Sequence, residues 1–366
     1  MPAASDLPTP DFTFDPDGPG ACVAGVRPYR EGSYRLDAES VSDTFLVHNY
    51  GHGGAGITLS WGCADRVQGI VRERLAVSHQ TEAAVLGAGV MGLTAATLLL
   101  DLGLRVTIYS DREPLETTSS KAGGQWAASV VECQGKEKEL GRILEVAYKK
   151  FEEKIGKGYG VSRRPNYSAQ PTHGLEVVRT LAPGVPLHRE RLQRLPFEAH
   201  TGPGYVYQTL LVEPPIFLPR LEADLRARGV SFVQRHFDSA SDVLASLTQK
   251  TVVNCTGLGA GRLWQDPKVK PIKGQLAMLP RQPQLQYLYG ENGYLFPRAD
   301  HVVIGGTFEE NRDDEIPDKA MCKELVRHMA SLFGKAPRKP LPEFHIHHPR
   351  HASMVRSPRI GVVEAT

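Results

Sequence analysis

Between Ala83 and Asp111 the hydrophobic pattern changes period twice. Apolar Ala83 to Leu86 runs unbroken into a glycine-rich turn, Leu93 to Leu102 continues at helical spacing, Gly103 interrupts it, and Val106 to Tyr109 resumes a β-branched run. A short apolar run, a tight turn, a helix and a second short run predict a βαβ start. Upstream, Thr44 to Val47 predicts a buried strand, Gly51 to Gly56 a turn, and ITLSWGCADRVQGIVRERL a helix, with residues 78–81 as a linker. Downstream, helices are predicted at 136–160, 215–228 and near 318–333. SFVQR and TVVNCTG read as further strands, and YLFP and HVVIGGTF as antiparallel ones. Residues 1–20 combine Pro, Asp and Gly with few apolar anchors, which predicts a poorly ordered arm.

The turn GAGVMG carries the first chemistry. Gly87 permits a tight turn, Gly89 lets backbone approach a pyrophosphate, and Gly92 lets the helix pack closely on the strand. The helix start offers free N–H groups to the anion. Asp111 stands 19 residues after Gly92, where a carboxylate can accept from ribose hydroxyls. This pattern leaves NAD and FAD open. TTSSKAGGQW, residues 117–126, favours FAD: hydroxyls at Thr117, Thr118 and Ser119 suit phosphate, and Ala122, Gly123 and Gly124 leave room for a planar ring system.

Composition narrows the partners. The chain has 366 residues, 41% hydrophobic, with 43 Lys and Arg against 41 Asp and Glu, so no overall field favours nucleic acid or anionic lipid. Small-molecule partners are expected. Five scattered cysteines lack CxxC spacing and read as reduced, packed thiols. Neither a secretory leader nor an apolar stretch of about 20 residues is evident, which predicts a cytoplasmic protein outside the membrane. The histidines His345, His347, His348 and His351 lack a completing carboxylate or cysteine, so a polar strand and turn is preferred over a metal site. Arg350, Arg356 and Arg359 read as solvent-facing rather than as an acid-recognising set.

Four separated segments together resemble the D-amino-acid oxidase family of flavoenzymes: HNYGHGGAGITLSWG at 48–62, GAGVMG at 87–92, SDR with TTSS and AGGQW at 110–126, and VVNCTGLGA at 252–260. The resemblance runs from about Ala24 onward, weakest over 136–204 and 310–355. It implies an α/β fold, with a doubly wound FAD-binding domain over 45–135 and 205–265. A substrate domain with a mixed, largely antiparallel sheet is expected over 21–44, 136–204 and 266–366. FAD is the implied cofactor. Its implied contacts are Ala88, Gly89, Val90, Met91, Gly92, Asp111 and Arg112, then Thr117, Thr118, Ser119, Gly123, Gly124 and Gln125. Phe237 and Gly257 follow, with Arg27, Gly53, Gly54, Ala55, Gly56, Ile57 and Thr58 from the head of the chain.

For catalysis, the resemblance implies that Arg27 in AGVRP clamps the substrate carboxylate, where a planar guanidinium can make two parallel hydrogen bonds. Tyr294 in GYLFP assists it, and Gly54 lies in the flavin-facing turn. The family's gating tyrosine would fall at position 290, which is Gly290; Tyr289 stands one position away and is the candidate replacement. Ala55 also departs from a bulkier residue in many animal members. The implied reaction is hydride transfer from the Cα of a small, neutral D-amino acid to flavin, with oxygen as acceptor. Alternatives are an oxidase of glycine or N-substituted amino acids, and a flavin-binding scaffold without catalysis; a homodimer is left open.

The order of segments is itself unusual, with the family's tail written at the head of this chain. A strand such as VVEAT, 362–366, should precede Arg27, so the sequence reads as circularly permuted with its natural joint from Thr366 to about Ala24. The alternative is that residues 1–75 complete a neighbouring chain.

Overall fold

A computed structural model describes residues 6–200 and 202–337. The chain opens with β1 (Cys22–Arg30), β2 (Arg35–Val41), β3 (Thr44–Tyr50) and α1 (Gly56–Leu75), followed by β4 (Glu82–Leu86), α2 (Val90–Leu100) and β5 (Arg105–Ser110). Then come α3 (Glu137–Glu152), β6 (Val161–Ser168), α4 (His173–Leu181), β7 (Arg189–Leu192), β8 (Gly204–Val212), α5 (Pro214–Ala227), β9 (Ser231–Gln234) and α6 (Ala240–Ser246). The last are β10 (Thr251–Asn254), α7 (Gly259–Leu263), β11 (Val269–Pro280), β12 (Leu288–Gly290), β13 (Tyr294–Pro297), β14 (His301–Gly305), β15 (Glu309–Glu310) and α8 (Lys319–Leu332).

Two sheets organise these elements. One has six strands in the order β2-β3-β10-β4-β5-β9, parallel except for the edge strand β2. Its central strands are buried almost throughout, as EAAVL and TVVN require when helices cover both faces. The other runs β1-β11-β14-β13-β12-β6-β8-β7 with β15 paired to β11, and is antiparallel apart from the β12–β6 pair. The expected α/β class, a doubly wound sheet beside a mixed and mainly antiparallel one, is what forms.

Helix α2 is apolar on nearly every side because it is covered by α1 and α5 as well as by the sheet. Helix α3, shorter than the predicted 136–160, buries Leu140, Ile143, Leu144, Ala147 and Phe151 in the same core as α1. That contact depends on Gly62, where an added Cβ would lie 2.0 Å from Ile143 O.

Several expected boundaries shift. β2 was placed with the substrate domain, yet it pairs along its whole length with β3, across a two-residue turn in which Ser42 has φ +55°. β8 was placed with the cofactor domain, yet it pairs with β6 over eight residues in the larger sheet. Helix α3 was given to the substrate domain, yet its apolar face belongs to the core under α1.

Residues 6–20 do not form the expected loose arm. Leu7 N–H donates to Pro196 O (2.7 Å), Tyr287 Oη donates to Pro8 O (2.6 Å), and Gln282 exchanges two 2.8 Å hydrogen bonds with the Asp11 backbone. Phe12 packs against Phe333 with ring centroids 5.8 Å apart. A few aromatic and backbone contacts suffice to hold an extended segment that composition alone reads as unanchored.

The residues proposed to precede Arg27 (362–366), the histidines at 345–351 and the arginines Arg350, Arg356 and Arg359 lie outside the described residues. Among the described residues no helix is long and apolar enough to cross a membrane.

Candidate active site

A cleft of about 730 Å³ lies where the two sheets meet. Its floor is the turn between β4 and α2. Gly87 has φ +103° and faces β10 so closely that a Cβ would lie 2.5 Å from Cys255 O. At Gly92 a Cβ would lie 1.9 Å from Gly87 O, so this glycine sets the contact of helix on turn and does not line the cleft. Gly89 does line it, opposite Ser119, whose Oγ accepts from Val90 N–H at 3.0 Å (the first amide of α2).

Most of the sequence-predicted contacts converge on this cleft. Ala88, Val90 and Met91 line its floor, Asp111 and Arg112 its rim at the end of β5, and Thr117, Thr118, Gly123, Gly124 and Gln125 a facing wall. Phe237 and Gly257 close one end, and Gly53, Gly54, Gly56, Ile57 and Thr58 come from the turn into α1. Ala55 does not join them; it is buried in the core beside α1. The segment NCTG works through its side chains: Asn254 Oδ1 accepts from Thr256 N–H (3.1 Å) and Oγ1 (2.7 Å), and Asn254 Nδ2 meets His48 Nδ1 (3.1 Å). This network shapes the turn that presents Gly257. His48 and His52 are packed as structural residues: His52 lies on Tyr34 and its Nε2 meets Cys63 Sγ at 3.4 Å. Burial drives its pKa down to about 3, so the ring is neutral.

Arg27 and Tyr294 meet at the wall formed by the larger sheet. Arg27 Nη1 donates to Thr307 O at 3.1 Å, and its guanidinium lies over Gly274, where a Cβ would sit 2.5 Å from Nη2. Burial disfavours the charge, while the Tyr294 hydroxyl and Glu309 support it, and an arginine remains charged in that balance. Tyr294 stacks on Phe296 with centroids 4.3 Å apart and planes 8° from parallel. Added Cβ atoms would lie 2.9 Å from its ring at Gly123 and 2.5 Å from its hydroxyl at Gly305, so both glycines make room for it. Burial raises the Tyr294 pKa against the opposing pull of Arg27 and Arg298, which keeps the phenol a hydrogen-bond donor.

Tyr289 is not at the site. It is 0% exposed, and its hydroxyl donates to Glu291 Oε2 (2.6 Å) and meets His200 Nε2 (2.9 Å) within an aromatic core that includes Phe197 and Phe333. The reason is strand parity. Gly290 pairs with Tyr294 and shares its face, so Tyr289, one residue earlier, points the opposite way. Residues absent from the sequence reading also line the cleft, among them Val130, His173, Thr307 and Glu315. The last three fall where no compact motif stands; only the glycine pair preceding Thr307 offered a signal.

The cleft suits a dinucleotide carrying a flat ring. The side-chain nitrogen Nε2 of Gln125, which lines the wall, is buried without a partner among the described residues, as expected of a donor reserved for a ligand acceptor. Gly124 at φ +111° brings the neighbouring backbone against Val212 without side-chain bulk. The start of α2, the Asp111 carboxylate and the Arg27 guanidinium all face this one space, an arrangement suited to a dinucleotide.

The comparisons with known proteins specify it further. The DAO family, described as FAD dependent oxidoreductase, matches residues 82–363. A D-amino-acid oxidase from Streptomyces coelicolor is 32% identical over 263 residues, which are 69% of this chain and 77% of that protein. One from Rubrobacter xylanophilus is 30% identical over 261 residues, 68% and 76%. Among solved structures, glycine oxidase from Geobacillus kaustophilus shares the fold with a TM-score of 0.52 at 18% identity, covering 69% of this chain and 77% of that one. The chain belongs to the DAO family of FAD-dependent oxidoreductases, and FAD is its cofactor.

Proposed function

We propose that this enzyme oxidises small, neutral D-amino acids to imino acids, which hydrolyse to keto acids and ammonia, with oxygen reduced to hydrogen peroxide. The observation that carries the reading is the pair Arg27 and Tyr294 on one wall of the cleft whose floor is Gly89 and whose facing wall holds Gly124 and Gln125. The chemistry that bound FAD would supply is acceptance of a hydride from the substrate Cα and return of the electrons to oxygen. The protein binds, aligns and shields. Arg27 holds the carboxylate through two donors, Tyr294 adds a third, and the apolar Phe296 behind the phenol keeps it from turning away. Gly54 allows close approach from the α1 side, since a Cβ there would lie 2.9 Å from Ser129 O and 3.5 Å from Arg27 Cδ.

A second reading, oxidation of glycine or N-substituted amino acids, is favoured by the wall at Gly290, which carries no side chain over the cleft because Tyr289 faces the core. Peroxide release from D-alanine, D-serine, D-proline, L-alanine, glycine and sarcosine, with FAD added, decides between them. Turnover confined to the D-amino acids supports the first reading. Preference for glycine and sarcosine supports the second, and no peroxide from any of them overturns both.

The permuted order is part of the same reading. Residues 1–81 lie outside the matched family region, yet they supply β1 against β11, β3 against β10 and α1 against α2 within one chain. We infer that they are the family's closing segment moved to the front, filling its own sheets rather than a neighbour's.

A further inference from the structure

A loop crosses the rim of the cleft, which its residues Asp313 and Glu315 line. Residues 311–318, between β15 and α8, are pinned from beneath by Lys273 of β11, which is 2% exposed. Its Nζ donates to Asp314 Oδ1 (2.5 Å) and Ile316 O (2.6 Å), Ile316 N–H donates to Asp314 Oδ1 (3.2 Å), and Asp318 N–H donates to Gln275 Oε1 (3.1 Å). A buried ammonium satisfied in this way is expensive to strip of its partners, so the loop is held in place.

From that loop Glu315 reaches across to the cofactor-binding elements. Its Oε1 accepts from Arg112 Nη1 (3.1 Å) and its Oε2 from Lys121 Nζ (2.5 Å). Arg112 follows the ribose candidate Asp111, and Lys121 stands two residues after Ser119, whose Oγ accepts from the first amide of α2. Arg112, Lys121 and Glu315 all line the cleft.

We propose that Glu315 is a latch: by joining loop 311–318 to Arg112 and Lys121 it closes the adenosine-diphosphate end of the cleft and slows the release of FAD. Side-chain exposures of 28% for Glu315 and 21% for Lys121 leave this pair less screened than an ordinary surface pair. Because the loop is already fixed by Lys273, forming the bridge orders little that was free. The alternative role is competition, in which Glu315 neutralises two cations that would otherwise hold the diphosphate. The two roles predict opposite signs.

The inference rests on the location of FAD, not on the choice of substrate. Its test is the rate of FAD release from diluted holoenzyme, read as recovery of flavin fluorescence, for wild type, Glu315→Gln and Asp314→Asn at low and high salt. The latch predicts release about tenfold faster from Glu315→Gln, an intermediate rate from Asp314→Asn, whose loop is loosened but keeps Glu315, and acceleration by salt in wild type and Asp314→Asn but not in Glu315→Gln. Release from Glu315→Gln at the wild-type rate, or slower, overturns the latch. Absence of peroxide with every amino acid would instead count against the oxidase reading and leave the release rates to be judged alone.

Discussion

The cofactor floor and the wall proposed to hold the substrate are built by opposite means. At the floor the atoms that matter are backbone: at Gly87 and Gly92 a side chain would collide with a main-chain oxygen at 2.5 and 1.9 Å. At the wall the atoms that matter are side chains, and glycines at 123, 274 and 305 are there to make room for Arg27 and Tyr294. The floor is therefore rigid, one six-residue turn set against the end of β10 at Cys255. The wall is assembled from strands far apart in sequence, so it can fail while the floor survives.

That contrast can be broken from either side. The largest effect is expected for Gly92→Ala, because the new methyl would lie 1.9 Å from the backbone oxygen of Gly87 and must push α2 off its turn, a collision well beyond the ordinary overpacking that costs about 1–3 kcal/mol. Purified protein should contain little flavin and melt earlier, and full flavin occupancy would show that the turn tolerates displacement. Next comes Arg27→Ala, where truncating a buried charged hydrogen-bond partner costs about 2–5 kcal/mol. kcat/KM should fall by roughly two to three orders of magnitude on that basis, with flavin absorbance unchanged. Gly274→Ala sharpens the comparison by leaving Arg27 in place but displacing its guanidinium, for which about a hundredfold loss is reasonable. Equal loss of flavin in the Arg27 and Gly274 variants would mean that floor and wall are not separable.

The smallest effect concerns pH. His52 is held neutral with its pKa lowered to about 3, whereas in the unfolded chain it takes a proton near its ordinary 6.5. Because the unfolded state binds more protons between those values, the contribution is present above about pH 6.5 and is lost as pH falls toward 3. His48 is shifted in the same direction by burial. Thermal melts between pH 7 and 4.5 should fall for wild type and fall less steeply for His52→Gln. Parallel slopes would remove His52 from the acid sensitivity.

How much was legible from residues alone follows the same division. GAGVMG announced strand, turn and helix because the contact of Gly92 with Gly87 is written within the segment, and Asp111 could be counted to from Gly92. The family resemblance placed Arg27 and Tyr294 on the site's roster. Tyr289 was misplaced because one residue of strand register reverses the face, and the pairing of Gly290 with Tyr294 is not written in either strand by itself. Residues 6–20 looked unanchored because their partners, Pro196, Gln282 and Tyr287, lie far along the chain.

By itself, then, the sequence determined the βαβ start and its glycine turn, since periodicity and glycine sterics are written in the segment itself, and its resemblance to the family singled out Arg27 and Tyr294. Only the tertiary structure decided that Arg27 reaches a carbonyl 280 residues away at Thr307, that Gly274 lies beneath it, and that Glu315 spans to Arg112 and Lys121. Such contacts depend on sheet register and loop pinning, which are properties of paired strands rather than of any one segment.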